Sequence, residues 1–152
     1  MKYWLIKTEP GAYSIADLKR DKQTYWDGVR NFQARNNMKE MQPGDQVLFY
    51  HSNTEPIAIV GTATVAKAAY PDFTAFDPKD PHFDPKSNPD KPTWYMADVA
   101  YGSTFPHPLT LEAIKRDPHL EGMVLRQKGS RLSVQPVSEA HFQHIVKTAQ
   151  DN

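Results

Sequence analysis

The spacing of apolar positions changes repeatedly along this chain, and each change predicts an element. Residues 3–7 (Tyr-Trp-Leu-Ile-Lys) form a short aromatic and aliphatic run of the length of a buried strand. After the Pro10-Gly11 break, Ser14 is placed to cap a short helix from Ile15 to Lys19. Ala34, Met38 and Met41 then recur at helical spacing and define the buried stripe of a helix from about Asn31 to Met41. Asn31 and Arg35, four apart, fall at the edge of that stripe, where they can border a cleft. Pro43-Gly44 ends this helix.

Strand signals dominate from Gln46 onward. Gln46 to Ser52 reads as a strand in which Leu48, Tyr50 and Ser52 share one face and Val47, Phe49 and His51 the other. A longer run, Ile57 to Ala69, is interrupted at Gly61, a position suited to a bulge or bend. Trp94 to Tyr101 is another strand, and Leu109 to Arg116 a helix. Arg131 to Gln135 forms a last short strand, with Leu132 and Val134 inward and Arg131, Ser133 and Gln135 on a polar face. A closing helix starts at Ser138, with Val137 and Phe142 spaced as a hydrophobic staple and Ile145, Val146 and Ala149 continuing its stripe. Between Tyr70 and Lys91, five prolines alternate with Phe73, Phe76 and Phe83, and so long a loop in a compact domain tends to be functional or mobile. Strands interrupted by helices without a regular alternation predict one α+β domain on a curved sheet or open barrel.

Composition narrows the function. At 152 residues the chain can bury a core as one domain. The formal charge of zero argues against gripping a long duplex by counterion release. Local charge is uneven: Lys19 to Lys39 holds six basic residues against two acidic, Lys115 to Arg131 five against two. Were these segments to meet, they could hold a few phosphates, although ordinary solvated faces are the simpler account from charge alone. The absence of cysteine excludes disulfides, thiolate metal sites and a cysteine nucleophile. His141 and His144 stand three apart on the closing helix with no carboxylate or third histidine beside them in sequence, so a solvated face and no metal are expected. The brief apolar run at the N-terminus is too short for a signal peptide or membrane span, which predicts a cytoplasmic or nuclear protein.

The densest chemistry lies in residues 24–37. There an aromatic pair (Tyr25, Trp26), a tight turn (Asp27-Gly28) and a helix start carrying Arg30, Asn31 and Arg35 succeed one another. A ring to stack on, amides for base edges and guanidinium for charge suit a nucleobase beside a phosphate. Trp26 is the candidate stacking wall against the alternative of a core tryptophan. Arg30 reads as an anion contact or a structural ion pair, and Asn31 as a base-edge reader or a helix cap. Tyr50, His51, Ser52 and Asn53 form a polar run closing an apolar strand, and alternation allows only part of it to line one pocket. Lys7 is placed to approach a phosphate or to neutralise Glu9, and Ser133 and Gln135 to reach a base edge or to hold structure. Trp4 and Trp94 suit the core or the cleft rim equally.

The ordered motifs Tyr-Trp-Leu-Ile-Lys-Thr-Glu-Pro, Trp-Asp-Gly-Val-Arg-Asn-Phe-Gln-Ala-Arg-Asn, Gly-Asp-Gln-Val-Leu-Phe-Tyr-His-Ser-Asn, Tyr-Pro-Asp and Arg-Leu-Ser-Val-Gln-Pro resemble the EVE domain family. The resemblance spans roughly residues 2 to 147. It implies a PUA-like mixed β pseudobarrel flanked by helices with a ligand cleft on one side. EVE domains are similar in design to YTH domains, which trap a methylated base in an aromatic cage. The matching positions here are Ile6-Lys7 and Trp26. What the resemblance implies is a reader of a modified base, notably modified cytosine in DNA, with RNA open, no cofactor and no membrane partner. The expected contacts are Lys7, Trp26, Arg30, Asn31, Arg35, Tyr50, His51, Ser52, Ser133 and Gln135. An RNA-binding module is the nearest alternative. Some related PUA-like domains are amidohydrolases of modified nucleosides using lysine, threonine and glutamate, the types found at Lys7, Thr8 and Glu9. Three consecutive strand residues cannot all face one pocket, which weighs against an enzyme.

Overall fold

The computed structural model describes residues 1–127 and 132–151. Six strands form one mixed sheet in the order β2-β5-β4-β3-β1-β6. They are β1 (Tyr3–Thr8), β2 (Gln23–Trp26), β3 (Gln46–His51), β4 (Ala58–Pro71), β5 (Tyr95–Thr110) and β6 (Val134–Val137). Strands β1 and β3 run parallel, with Lys7 opposite Tyr50, and every other neighbouring pair is antiparallel. The sheet is not closed, and helices flank it: α1 (Ile15–Asp21), α2 (Phe32–Glu40), α3 (Leu111–Arg116) and α4 (Glu139–Asp151). Among the described residues no helix is long and apolar enough to cross a membrane.

Alternation along the strands divides the core in two. Val47 and Phe49 join Trp4, Ile6, Trp26 and the α2 residues Ala34 and Met38 in one cluster, while Leu48 and Tyr50 join Leu5, Ile59, Phe142 and Ile145 in the other. The expected face assignment of β3 therefore holds, and both faces are buried. The register of β4 on β5 shifts four times, first between Ile59 and Gly61. A Cβ on Gly61 would lie 2.2 Å from the Ser103 carbonyl oxygen, so the close approach there requires glycine.

Several boundaries differ from the sequence expectation. Strand β2 was not expected: four residues of mixed polarity carry too weak a pattern, and pairing with β5 stabilises them. Strand β5 runs on from Tyr101 to Thr110, leaving α3 to begin at Leu111, because the whole segment pairs along β4. The last strand lies at Val134–Val137 rather than at Arg131 to Gln135. Leu132 and Val134 are buried as expected, but Gln135 is fully buried too, since β6 lies between the two packed layers. Arg131 lies outside the described residues. The proline-rich segment packs down through a single 3-10 turn (Phe73–Phe76) and a series of aspartate- and asparagine-capped turns.

Candidate functional site

The end of β1, the end of β2 and the proline-rich loop enclose a cleft of about 440 Å³ lined by Lys7, Thr8, Ala12, Tyr13, Thr24, Tyr25, Trp26, Asp27 and His82. Trp26 is 9% exposed: its ring meets Phe49 edge-on at 5.5 Å and Tyr13 edge-on at 6.1 Å. It belongs both to the core and to the cleft wall, so core packing holds the wall in place. Tyr25 and Phe73 are exposed and stand edge-to-face at 5.2 Å. Lys7 and Thr8 both border the cleft because β1 ends at Thr8 and strand alternation ends with it. Glu9, just beyond, is exposed, and its carbonyl accepts the amides of Ala12 and Tyr13.

Two ionisable groups in the cleft are displaced from their ordinary ranges. Burial pushes the Lys7 ammonium down, and its Nζ lies 5.7 Å from the Tyr50 ring centroid. Burial pushes the Asp27 carboxyl up, and the nearby His82 opposes that shift only in part. Nδ1 of His82 lies 3.4 Å from both Asp27 and Asp80. Perturbed groups of opposite type within one aromatic cleft make it the candidate ligand site. A wider depression of about 630 Å³, bounded by residues such as Lys2, Glu40, Gln42 and Asp45, has no aromatic wall. Its buried carboxylate, Asp45, already accepts Trp4 Nε1–H and the amides of Lys2 and Gln42.

A buried aspartate ties the cleft together. Asp72 is fully buried and accepts the Gly28 amide at 2.9 Å, Arg30 Nη1 at 3.0 Å and both the amide and hydroxyl of Thr74. Burial alone would raise its carboxyl pKa; the hydrogen bonds from Thr74, Gly28 and Arg30 outweigh that and hold it below the ordinary range. Arg30 also donates through Nη2 to the His82 carbonyl at 2.6 Å, so it acts as a strut fixing the loop that carries His82. A ladder of rings and cations continues outward: Arg30 over Trp94 at 5.4 Å, Trp94 stacked on Phe32 at 5.0 Å, and Arg35 over Phe32 at 5.0 Å.

Of the residues singled out from sequence, Lys7 and Trp26 meet in the cleft, and Arg30 reaches its rim through His82. Asn31 takes the cap role, its side-chain oxygen accepting the Ala34 amide at 2.9 Å. Arg35 donates to the Thr93 carbonyl and to Asn36. Tyr50 is buried beneath Lys7, and burial raises its hydroxyl pKa. Burial lowers the pKa of His51, whose Nε2 accepts the Ile15 amide at 3.1 Å. Ser52 donates its amide to the Thr8 carbonyl, and the Ser133 carbonyl accepts the Lys7 amide. Gln135 donates to the Leu132 carbonyl from a fully buried position, with its side-chain oxygen unpartnered among the described residues. Trp94 bonds Asp84 at 2.7 Å, and Trp4 is core. Sequence reasoning passed over Asp27 as a cleft group and His82 altogether. The Asp-Gly turn after an aromatic pair was a usable signal for the first; for the second, 54 residues from Gly28, there was none.

The described arginines of the basic stretches are engaged locally. Arg20 pairs with Asp17 and Asp21, Arg116 with Glu112, and Arg126 donates to the carbonyls of Asp117 and Lys115.

Comparison with known proteins agrees over the whole chain. The EVE domain profile matches residues 2–148. Thymocyte nuclear protein 1 of Mus musculus is 41% identical, the match covering 95% of this chain and 72% of that one. A hypothetical protein from Leishmania major superposes with a TM-score of 0.94 at 46% identity, over 98% of this chain and 94% of its own. Human thymocyte nuclear protein 1, solved in complex with DNA containing 5-methylcytosine, superposes with a TM-score of 0.92 at 36% identity, over 100% of this chain and 99% of its own.

Proposed function

Because this chain belongs to the EVE domain family, we propose that it is a non-enzymatic module that captures one modified cytosine of DNA in the cleft walled by Trp26. The observation that carries this reading is the match, over the whole chain, to a relative solved with DNA containing 5-methylcytosine. The cleft's chemistry supports it. A base stacked on an aromatic ring gains about 1–3 kcal/mol regardless of its identity, so Trp26 provides affinity. Base identity must come from polar groups. A carboxylate accepts the exocyclic amine that cytosine has and thymine lacks, a role open to Asp27, while the Lys7 ammonium can donate to the ring carbonyl. Burying one methyl adds about 1 kcal/mol, roughly fivefold, so preference for 5-methylcytosine over cytosine is modest. Taking a base out of a duplex costs a few kcal/mol, least where the helix is already weakened.

The test is fluorescence anisotropy at one fixed salt concentration. Short DNA strands carry a single cytosine, 5-methylcytosine or thymine at one position, and RNA of matched sequence is run beside them. Wild type should prefer 5-methylcytosine and bind RNA less well. Trp26→Ala should weaken binding roughly 5- to 150-fold. Because Trp26 also packs in the core, Asp27→Asn serves as the second variant and should erase discrimination against thymine while leaving the fold intact. Equal affinity for every strand, unchanged in both variants, would remove the proposal. RNA bound as tightly as DNA irrespective of methylation would replace it with an RNA-binding module.

A further inference from the structure

The sequence expectation for the closing helix was a solvated face, since no carboxylate or third histidine is placed to complete a ligand set with His141 and His144. Folding changes that. The 3-10 turn Pro118–Leu120 brings Asp117 and His119 against α4 at His144. Asp117 Oδ2 lies 2.6 Å from His144 Nε2, and Asp117 Oδ1 lies 3.2 Å from His119 Nδ1. The two imidazoles stack with centroids 4.7 Å apart and planes 29° apart, so both rings address one carboxylate. The donor atoms of all three residues fall within 4.8 Å of one another.

From this convergence we propose that Asp117, His119 and His144 bind a divalent transition-metal ion, zinc being the ion the donor set suits best. Two imidazole nitrogens and one carboxylate oxygen are a recurrent zinc set, leaving a fourth position for water. In a tetrahedral site with bonds near 2.0–2.1 Å, donor atoms stand about 3.3 Å apart. Asp117 Oδ2 and His144 Nε2, now 2.6 Å apart, must therefore open slightly, while the remaining donor, within 4.8 Å, needs a small closure. His119 can supply it, since its side chain is 73% exposed and stacks only on a neighbouring ligand. Asp117 is oriented in advance: its Oδ1 accepts the His119 amide at 2.9 Å and caps the turn, which leaves Oδ2 directed at His144. Such outer hydrogen bonds aim a ligand before the ion arrives. The site is separate from the aromatic cleft, whose walls come from β1, β2 and the proline-rich loop. Its consequence is structural: an ion would clip α4 to the segment just after α3, on the side of the second core cluster.

Isothermal titration of tag-free protein with zinc, paired with thermal unfolding in zinc or chelator, tests the site. Wild type should bind one equivalent with micromolar or tighter affinity, and its Tm should rise with zinc. His119→Ala and His144→Ala should each weaken binding at least as much as loss of an outer-shell partner does, roughly 10–100-fold. The exposure of His119 makes its variant a fair test, because little of its side chain is packed against the core. His141→Ala, on the same helix outside the cluster, should bind as wild type does. Failure of wild type to bind a stoichiometric ion overturns the proposal, and so does binding retained in both His119→Ala and His144→Ala.

Discussion

At the scale of single residues, Gly28 and Trp26 show how one position serves both fold and cleft. Gly28 has φ +78°, and its amide is one of the four donors to Asp72. A Cβ there would stand 2.6 Å from Nε2 of His82, the ring at the cleft mouth. Gly28→Ala should therefore cost about 1–2 kcal/mol for the left-handed backbone and also push His82 aside. Urea denaturation reads the first effect and the chemical shifts of His82 the second. Unchanged stability with an unmoved His82 would show that the turn does not need glycine. Part of this scale was legible in advance: Trp26 stood out because an aromatic pair precedes an Asp-Gly turn, whereas Asn31, Arg35, Tyr50, His51, Ser52, Ser133 and Gln135 do not line the cleft. Asp27 did not stand out, because the displacement of its carboxyl upward comes from burial that no local sequence encodes.

At the scale of elements, the proline-rich loop is held by charge as much as by its aromatics. Arg30, just ahead of α2, bridges Asp72 and the His82 carbonyl, so it fastens both ends of the loop's first half to the β2–α2 connection. Removing the guanidinium leaves Asp72 fully buried with one donor fewer. Arg30→Ala should cost roughly 2–3 kcal/mol, somewhat less than for a fully buried pair because the Arg30 side chain keeps 24% of its exposure. It should also raise protease cleavage between Asp72 and Trp94. Denaturation midpoints and limited proteolysis measure the two, and a loss under about 0.5 kcal/mol would mean the strut is not structural. Helices and strands with a clear period, such as α2 and β3, could be read from sequence. Strand β2 and the far half of β5 could not, since they exist by pairing with each other and with β4.

At the scale of the molecule, the displaced carboxyls set how stability depends on pH. Asp72 and Asp45 both lie below the ordinary aspartate value: in each, burial pushes upward, but hydrogen bonds to the carboxylate prevail. A folded pKa below the unfolded one stabilises above the unfolded value, about 3.9 for aspartate, and that contribution is lost as pH falls through the folded value. Stability should thus drop below about pH 4. Asp27 acts with the opposite sign. Its folded pKa is raised, so its contribution is full below about pH 3.9 and is lost as pH rises through the folded value. His51, whose folded pKa burial lowers, contributes the opposite slope in mildly acidic solution, so the urea midpoint of wild type is read relative to Asp27→Asn, and that difference should decline upward from about pH 4. A difference already flat there would show that Asp27 is not displaced.

Residues close in the chain were enough to specify the local elements with strong periods, the α+β class, the face assignment of β3 and Trp26 as the candidate aromatic wall. The order of the sheet, the meeting of His82 with Gly28, the burial of Gln135 and the assembly of Asp117, His119 and His144 came from the folded arrangement alone. Each of these joins segments whose contact depends on how the whole sheet packs. Burial and juxtaposition, which push the Asp27 carboxyl upward and could turn a helix-face histidine into a ligand, are properties of that packing and of no single stretch of chain.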